Sequence, residues 1–336
     1  MGECIVICLL PNCGYLSETS RMLAIRKALI ARGADVCVAT HGGTHERLLQ
    51  ELGVPYEIVG PAMSDQRSRE FVRNGAGLGP PNQSMWTDDE LRAYVMAEAA
   101  FFRERAVKVA VTGFTLTALL STRLAGIPLA CEHAGSFVPP VWERKLIEPQ
   151  LSMPIPGAGR LPYKARRWFA NLGVNHVKMH CRGFNRIAKE LGIEGVPSFA
   201  QLLLGDLTIV PEIPEVLGIS KQELESWRPT GKGYRESTRL RSGGPIFAEL
   251  DLPIPDRVDR FLNGGGPVVY VALTSTTADQ VRALRDAGPD GPVVMLNLLK
   301  FRVQANYPAR SPHAPCSGAE AYRRYQTAFV ETVGDV

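Results

Sequence analysis

The strongest constraint on the fold is the alternation of apolar and amphipathic segments in the first sixty residues. A continuous apolar run at residues 4–10 is followed by helical spacing of apolar residues at 18–32. A strand pattern at 35–40, a helix pattern at 44–52 and a third strand pattern at 54–59 follow. Unbroken apolar runs are typical of strands buried on both faces of a parallel sheet. The order therefore predicts a doubly wound, Rossmann-like α/β domain.

The same alternation continues after residue 86. Thr87 and Glu90 form a capping-box pattern, which predicts a helix that runs to about residue 105. Residues 60–86 and the proline-rich residues 139–162 show no periodicity, so both are predicted to be irregular. The further predicted elements are, in chain order, strand 107–111, helix 114–125, strand 127–131, a helix over 163–191 broken near Gly173 or Gly183, and strand 206–210.

The charge and the cysteine pattern exclude several classes of protein. The net charge is +4 and no Lys or Arg run is dense enough for a nucleic-acid interface, so no nucleic acid is expected as a partner. The seven cysteines include no Cys-x-x-Cys pair, which fits a reducing cytoplasm better than a disulfide scaffold. The first residues lack the basic segment of a signal peptide, and no apolar stretch is long enough to span a membrane. We expect a cytoplasmic protein whose contact with membranes is at most peripheral.

Two early stretches of the sequence resemble one enzyme family. Residues 12–21, running into 24–33 and 36–40, are similar to the glycine loop, first helix and second strand that open the family's first domain. Residues 124–128, Leu-Ala-Gly-Ile-Pro, are similar to a segment that precedes one of its strands. These are segments of the family-1-type nucleotide-sugar glycosyltransferases with the GT-B architecture.

A later stretch extends the resemblance. Gly-Pro-Ile at 244–246, followed by residues 267–275, resembles the interdomain linker and the first strand of the family's donor domain. The three matches together span residues 3–285. The resemblance implies transfer of a hexose from a nucleotide sugar to a hydrophobic or lipid acceptor. It also implies a reaction without a metal or another cofactor.

The departures from the family pattern concern its catalytic and donor-binding residues. Tyr15 follows Gly14 where the family has a histidine that acts as the base, and no aspartate follows residues 107–111 where the family has its partner. Thr274 replaces the glycine at the end of the donor strand, and the family's donor motif is not found after residue 275. We therefore expect the donor site to be largely missing.

The last segment resembles a different family. Residues 291–301 and 317–325 are similar to the start of a small ferredoxin-like dimeric α/β-barrel family, which implies a homodimer formed through this tail. Residues 220–245 are polar and rich in Gly, Arg and Ser, as linkers are. The expected organisation is an acceptor-binding domain at 1–219, a linker at 220–245, a truncated donor-domain start at 246–288 and a partial ferredoxin-like tail at 289–336.

The candidate site residues follow from the rule that open parallel sheets bind ligands at the carboxyl ends of their strands. We expect catalytic roles for Glu18 and His133, because each is a titratable residue at such an end. The resemblance places the donor at Thr274 and Ser275, and the acceptor at five further residues, namely Gly14, Tyr15, Thr19, Glu132 and Ser136.

A structural role is an alternative at each catalytic position. Glu18 lies at the start of a predicted helix, where a carboxylate also serves as a cap, and His133 can be a hydrogen-bonded loop histidine. Tyr15 is a poor base near neutral pH because its ordinary pKa is about 10. His41 and His45 have the spacing of helical metal ligands, but His41 sits in a Gly-Gly turn, so no metal site is expected.

Three functions remain open from the sequence. The chain can be a glycosyltransferase, or a non-catalytic acceptor-binding or partner-binding remnant of one. It can also be a non-functional fusion product.

Overall fold

A computed structural model describes residues 5–75, 85–133, 138–146, 161–172, 178, 180–248, 250, 252–254 and 256–262. The chain divides into two compact units, residues 1–253 and 254–336. In the second unit the description is confined to residue 254 and a short helix. The predicted donor-domain start and ferredoxin-like tail fall almost wholly outside the described residues, and those predictions remain untested.

The first unit is built on a parallel sheet to which its described residues contribute seven strands. The strands are β1 (Val6–Leu9), β2 (Asp35–Thr40), β3 (Glu57–Ile58), β4 (Val107–Thr112), β5 (Leu129–Glu132), β6 (Leu207–Val210) and β7 (Arg239–Ser242). Their order across the sheet is β3-β2-β1-β4-β5-β6-β7, and every neighbouring pair is parallel. This order confirms the predicted Rossmann-like topology and places its switch point between β1 and β4.

Helices connect these strands. In the first unit they are α1 (Leu16–Ile30), α2 (Arg47–Glu51), α3 (Asp65–Gly75), α4 (Asp88–Glu104), α5 (Ala118–Ala125), α6 (Pro139–Glu143), α7 (Tyr163–Leu172), α8 (Cys181–Glu190), α9 (Phe199–Leu202) and α10 (Lys221–Ser226). A 3-10 turn spans Pro214–Leu217, and α11 (Asp256–Leu262) belongs to the second unit.

Successive residues of β1 show why the sheet is doubly wound. Cys8 and Leu10 enter a buried cluster that includes Phe102 of α4, whereas Leu9 enters a cluster that includes Met22 of α1. Side chains alternate along a strand, so an apolar run supplies both faces of the sheet. The predicted burial of β1 on both faces is therefore confirmed.

The capping signals of the sequence are also realised. The hydroxyl of Thr87 accepts a 3.1 Å hydrogen bond from the Glu90 N–H, and the Glu90 carboxylate accepts a 2.8 Å bond from the Thr87 N–H. Two donors at the start of α4 are thereby satisfied. Gly126, which follows α5, has φ +72°, a left-handed conformation that ends helices at low steric cost.

Three regions differ from the sequence-based expectation. Residues 60–86, expected to be irregular, contain α3, whose charged sequence buries little more than Phe71 and Ser68. Residues 139–162, also expected to be irregular, contain α6. The helix expected over 163–191, with a break near Gly173 or Gly183, is described as α7 and α8. The first ends at Leu172, beside Gly173, whereas Gly183 lies inside α8.

The expected linker is part of the sheet domain. Residues 220–245 contain α10 and β7, and β7 pairs with β6 from Leu207 opposite Arg239 to Val210 opposite Ser242. Leu240 of β7 is buried in a cluster with Trp142 and Trp227. The polar composition of β7 fits an edge strand, where one side of the backbone and many side chains face solvent. The first compact unit accordingly continues past residue 219 to residue 253.

Candidate functional site

A narrow pocket lies at the carboxyl ends of β1, β2 and β4, beside the switch point of the sheet. Its cavity volume is about 10 Å³, which is room for about one water molecule. Its walls come from the segments that follow these three strands, together with one residue before α3 and one before α4. The lining residues are Pro11, Asn12, Thr40, His41, Gly42, Met63, Trp86, Thr115 and Thr117. Open α/β sheets bind ligands at this position.

Most polar groups of the pocket wall hold the wall together. The Thr40 hydroxyl donates to the Pro11 carbonyl at 2.9 Å and accepts from the Gly42 N–H at 3.1 Å. The Asn12 side chain accepts from the Gly14 N–H at 3.0 Å, and the Thr115 hydroxyl donates to the Leu10 carbonyl at 2.9 Å. These bonds fix the strand-end loops relative to one another.

Trp86 is the exception. Its indole ring is 95% buried and packs against Phe71, with ring centroids 4.9 Å apart, and against Phe184, with centroids 5.8 Å apart. No described residue accepts a hydrogen bond from its Nε1–H. A buried N–H without an acceptor is unfavourable by about 1–3 kcal/mol.

His41 belongs to a buried polar network. Its Nδ1 lies 2.7 Å from the Val59 carbonyl oxygen and its Nε2 lies 2.6 Å from a carboxylate oxygen of Glu98. Because a carbonyl only accepts, Nδ1 carries a proton. The hydroxyls of Thr117 and Ser121 donate to Glu98, which is fully buried. Both ring nitrogens of His41 are thus occupied, which leaves neither to take a proton from a ligand.

Glu18 links the loops that follow β1 and β4 by hydrogen bonds. Its carboxylate accepts hydrogen bonds from the backbone N–H groups of Asn12, after β1, and of Gly113 and Phe114, after β4. Burial raises the pKa of Glu18 from 4.5 to about 7, although the three N–H donors act in the opposite direction. Its side chain is 2% exposed and does not line the pocket.

Glu132, at the end of β5, forms an ion pair with a residue of α1. Its carboxylate lies 2.8 Å from Nε of Arg21, whose side chain is 30% exposed. Burial raises the pKa of Glu132, while the hydrogen bond from Arg21 lowers it. Glu132 and Glu18 approach each other across Gly113, because a Cβ atom built there would lie 3.1 Å from an oxygen of each carboxylate.

His133 directly follows Glu132 in the sequence and is half-buried. Burial lowers its pKa from 6.5 to about 4, and the positive charge of Arg21 acts in the same direction. The imidazole is therefore neutral at physiological pH. The His133 backbone N–H donates to the Ile209 carbonyl at 3.1 Å, which anchors β5 to β6 beyond their paired residues.

The remaining predicted acceptor residues have structural contacts. Tyr15 packs edge-on against Phe114 and Phe71, with ring centroids 5.2 and 6.2 Å apart, and burial raises the pKa of its hydroxyl to about 12. The Thr19 hydroxyl donates to the Tyr15 carbonyl at 2.9 Å. A side chain at Gly14 would come within 3.0 Å of the Asn12 amide oxygen.

The structure separates the predicted site into two groups. Glu18 and Glu132 meet at Gly113, whereas the pocket wall is formed by other residues at the strand ends, among them His41, Gly42 and Thr115. Three predicted site residues, namely Ser136, Thr274 and Ser275, lie outside the described residues.

Sequence reasoning missed Arg21, Trp86 and Glu98. The sequence does contain an indication of Glu98, which falls on the apolar face of a predicted helix with Tyr94, Val95 and Phe102. A lone carboxylate at such a position needs buried partners. Arg21 and Trp86 left none, since their contacts come from elements distant in sequence.

The described residues give no sign of a metal site or a membrane span. They contain no group of three or more His, Cys, Asp and Glu side chains placed to hold a metal ion. None of their helices is both long enough and apolar enough to cross a bilayer.

Comparison with solved structures finds glycosyltransferases. The UGT89C1 structure from Arabidopsis thaliana with UDP-L-rhamnose matches with a TM-score of 0.45 and 10% identity, over 85% of this chain and 62% of that one. A UDP-glucosyltransferase from Polygonum tinctorium matches with a TM-score of 0.43 and 11% identity, over 77% and 56%. SnogD from Streptomyces nogalater matches with a TM-score of 0.38 and 13% identity, over 74% and 54%.

The chain thus spans little more than half the length of these proteins. No family model and no curated protein matches the sequence. By its strand order and its helices on both faces of a parallel sheet, the chain has a Rossmann-like fold.

Proposed function

We propose that residues 1–253 form the acceptor-binding domain of a glycosyltransferase-like protein, which holds a small, largely apolar acceptor in the switch-point pocket. The protein is related to enzymes that transfer a hexose from a nucleotide sugar to a hydrophobic or lipid acceptor. The observation that carries the proposal is the buried Nε1–H of Trp86, a pocket-lining residue, for which no described residue is an acceptor.

The pocket supports an acceptor of particular chemistry. Met63 and the Trp86 ring offer apolar contact, while the Trp86 N–H offers one donor to a carbonyl, ether or hydroxyl oxygen. The cavity of about 10 Å³ is far below the usual size of ligand sites, so an acceptor ring enters only if the pocket walls move apart. A hydroxylated aromatic compound or the polar end of a lipid meets these requirements.

The state of the candidate bases favours binding over catalysis. Glu18 already accepts three backbone hydrogen bonds, and the raised pKa of Tyr15 leaves its hydroxyl protonated. His133 is neutral but has a pKa of about 4, far below the value suited to a general base at neutral pH. Binding without catalysis is therefore the better supported of the functions that the sequence left open.

One observation favours an enzyme as the second candidate. The pKa of Glu18, about 7, matches the working range of a general base near neutral pH. In that case Glu18 would exchange a backbone hydrogen bond for the acceptor hydroxyl.

A binding experiment with 7-hydroxycoumarin, a small hydroxylated aromatic compound, tests the acceptor proposal. We expect micromolar binding to the full chain and about tenfold weaker binding by Trp86→Phe, which removes the N–H and keeps an aromatic ring; a tenfold loss corresponds to about 1.4 kcal/mol. Trp227→Phe is the matched control, because Trp227 is also buried but donates to Glu143 at 3.1 Å, away from the pocket. Equal affinities of the wild type and Trp86→Phe would refute the proposal, as would absence of binding.

The donor side is tested separately. We expect no micromolar binding of UDP-glucose, dTDP-glucose or GDP-mannose to the chain, and no glycoside when UDP-glucose and 7-hydroxycoumarin are mixed with it. Product formation that Glu18→Gln abolishes would establish the second candidate instead.

A lipid acceptor implies contact with a membrane, and α7 supports such contact. Tyr163, Trp168 and Phe169 of this helix are each about half exposed, at 47%, 50% and 46%. The helix contains no acidic residue and three basic ones, Lys164, Arg166 and Arg167. Exposed aromatic side chains beside basic residues are typical of helices that lie on anionic membranes.

Quenching by brominated lipid tests this contact. The other three tryptophans are at most 8% exposed, so quenching in phosphatidylglycerol vesicles reports on Trp168. We expect Trp168 fluorescence to be quenched in phosphatidylglycerol vesicles and little quenched in phosphatidylcholine vesicles. Trp168→Ala should lose vesicle binding. Val216→Ala, at a position 80% exposed in the 3-10 turn, is the control.

Homodimer formation through residues 289–336 stays a proposal, which light scattering on the full chain tests.

A further inference from the structure

Two cysteines lie opposite each other in the sheet. Cys8 of β1 and Cys37 of β2 are register partners in this parallel pair. Cys8 is fully buried in the cluster on the α4 face, and Cys37 is half-buried and packs against the same cluster. Both side chains therefore project from one face of adjacent strands.

The two thiols interact with each other. The interaction with the neighbouring thiol raises the pKa of Cys8 and lowers the pKa of Cys37. The Cys8 thiol itself donates to the Leu9 carbonyl at 3.8 Å. Both are free cysteines. Thiolates are the reactive form of cysteine, and a thiolate with partial exposure reacts before a buried thiol.

The geometry comes close to that of a disulfide. Adjacent strands lie about 4.8 Å apart, which falls within the range of Cα separations that disulfides span. A disulfide holds its Cβ atoms about 3.8 Å apart, so the two Cβ atoms must move toward each other by roughly 1 Å. A bond formed at this site is strained, and strained disulfides are readily reduced.

We propose that Cys8 and Cys37 form a reversible oxidation site, at which a peroxide converts the two thiols into a disulfide between β1 and β2. The Cys37 thiolate attacks one peroxide oxygen, the O–O bond breaks, and Cys37 becomes a sulfenic acid as hydroxide leaves. The Cys8 sulfur then attacks the Cys37 sulfur, the S–O bond breaks, and the departing hydroxyl takes the Cys8 proton to leave as water. Two thiols lose two electrons, and the peroxide gains them.

The other described cysteines lack this arrangement. Cys13, Cys131 and Cys181 are buried, and burial raises the pKa of each. The nearest polar partner given for Cys13 is the Thr40 hydroxyl, 3.4 Å from its sulfur, rather than a second thiol. Cys8 and Cys37 are consequently the pair among the described cysteines that is arranged for oxidation.

The position of the pair links it to the switch-point pocket. β1 leads directly into Pro11 and Asn12, and β2 ends at Thr40, before His41 and Gly42. A disulfide would join the two strands that carry these walls, one residue before the end of β1 and three before the end of β2.

Mass spectrometry after treatment with hydrogen peroxide tests the proposal on the full chain. Free thiols are then blocked with iodoacetamide, and the protein is digested without reduction. We expect a peptide pair linked through Cys8 and Cys37, 2 Da lighter than the reduced pair, which millimolar glutathione reverts. Cys37→Ser and Cys8→Ser should each lose it, whereas Cys131→Ser, at a buried cysteine of the same sheet, should keep it.

A second measurement does not depend on the variants. In the untreated wild-type protein, iodoacetamide should label Cys37 before Cys8. The proposal is overturned if peroxide leaves both thiols free, if Cys37 proceeds to sulfinic acid without a link, if it links to another cysteine, or if Cys8 is labelled first.

Discussion

The carboxylate of Glu18, on the first turn of α1, accepts a 3.0 Å hydrogen bond from the backbone N–H of Gly113, directly after β4. The same carboxylate also accepts from Asn12 after β1, so one side chain closes the crevice between the two strands at the switch point. In an open sheet, free N–H groups at this crevice are available to a ligand. Here a residue of the chain occupies them, which is why the pocket lies beside the crevice and not within it.

Glu18 should make stability fall as the pH rises from 4.5 to 7. Its pKa is raised from 4.5 to about 7, so the protonated form stabilises the fold fully below pH 4.5, and that contribution is lost by pH 7. We expect urea titrations to show that the wild type loses on the order of 3 kcal/mol relative to Glu18→Gln across this interval. A wild-type-minus-variant difference that does not change with pH would contradict the assignment.

His133 should act in the opposite direction. Its pKa is lowered from 6.5 to about 4, so the neutral imidazole stabilises the fold above pH 6.5, and that contribution is lost as the pH falls to 4. Relative to His133→Gln, the wild type should lose on the order of 3 kcal/mol between pH 6.5 and pH 4. The double variant with Glu18→Gln isolates the two groups, since it should show neither trend in the same titrations.

The fold was largely predictable because its signals are local. Three signals depend only on residues close in sequence, and the structure contains the feature that each predicts. They are the apolar run around Cys8, the capping box at Thr87 and the glycine at 126. The helix α3 and the edge strand β7 were not predictable, because both are highly charged and become ordered through contacts such as those of Phe71 and Leu240 with distant elements.

The site was less predictable than the fold. The rule of strand ends pointed to the edge of the sheet where a small pocket lies, and residues such as His41 and Thr115 line that pocket. Which side chains face a ligand depends on partners that the sequence does not reveal. Glu18 is occupied by backbone groups, and Trp86 reaches the pocket from the segment before α4.

The network around Glu98 should be essential to stability. Glu98→Ala leaves His41 Nε2 and the hydroxyls of Thr117 and Ser121 without their partner in a buried site, which we expect to lower the free energy of unfolding by about 3–5 kcal/mol. Glu104→Gln, on an exposed position of the same helix, should change it by less than about 0.5 kcal/mol. Urea denaturation at pH 7 measures the free energy of unfolding of both variants. Equal changes in the two variants would show that the network does not contribute to stability.

Two glycine substitutions should change stability in opposite directions. A Cβ atom at Gly113 would lie 2.7 Å from Glu18 Cγ, inside a crowded and buried contact, so Gly113→Ala should destabilise the fold by about 1–3 kcal/mol. At Gly183, inside α8, the nearest atom is 3.4 Å away, an ordinary contact distance, and Ala is the better helix former. Gly183→Ala should therefore stabilise the fold by about 0.5–1 kcal/mol. Thermal and urea unfolding of the two variants give the signs directly. If Gly113→Ala leaves the free energy of unfolding unchanged, Glu18 can move away from the strand-end loops at little cost. Glu18 would then not be the residue that holds these loops together.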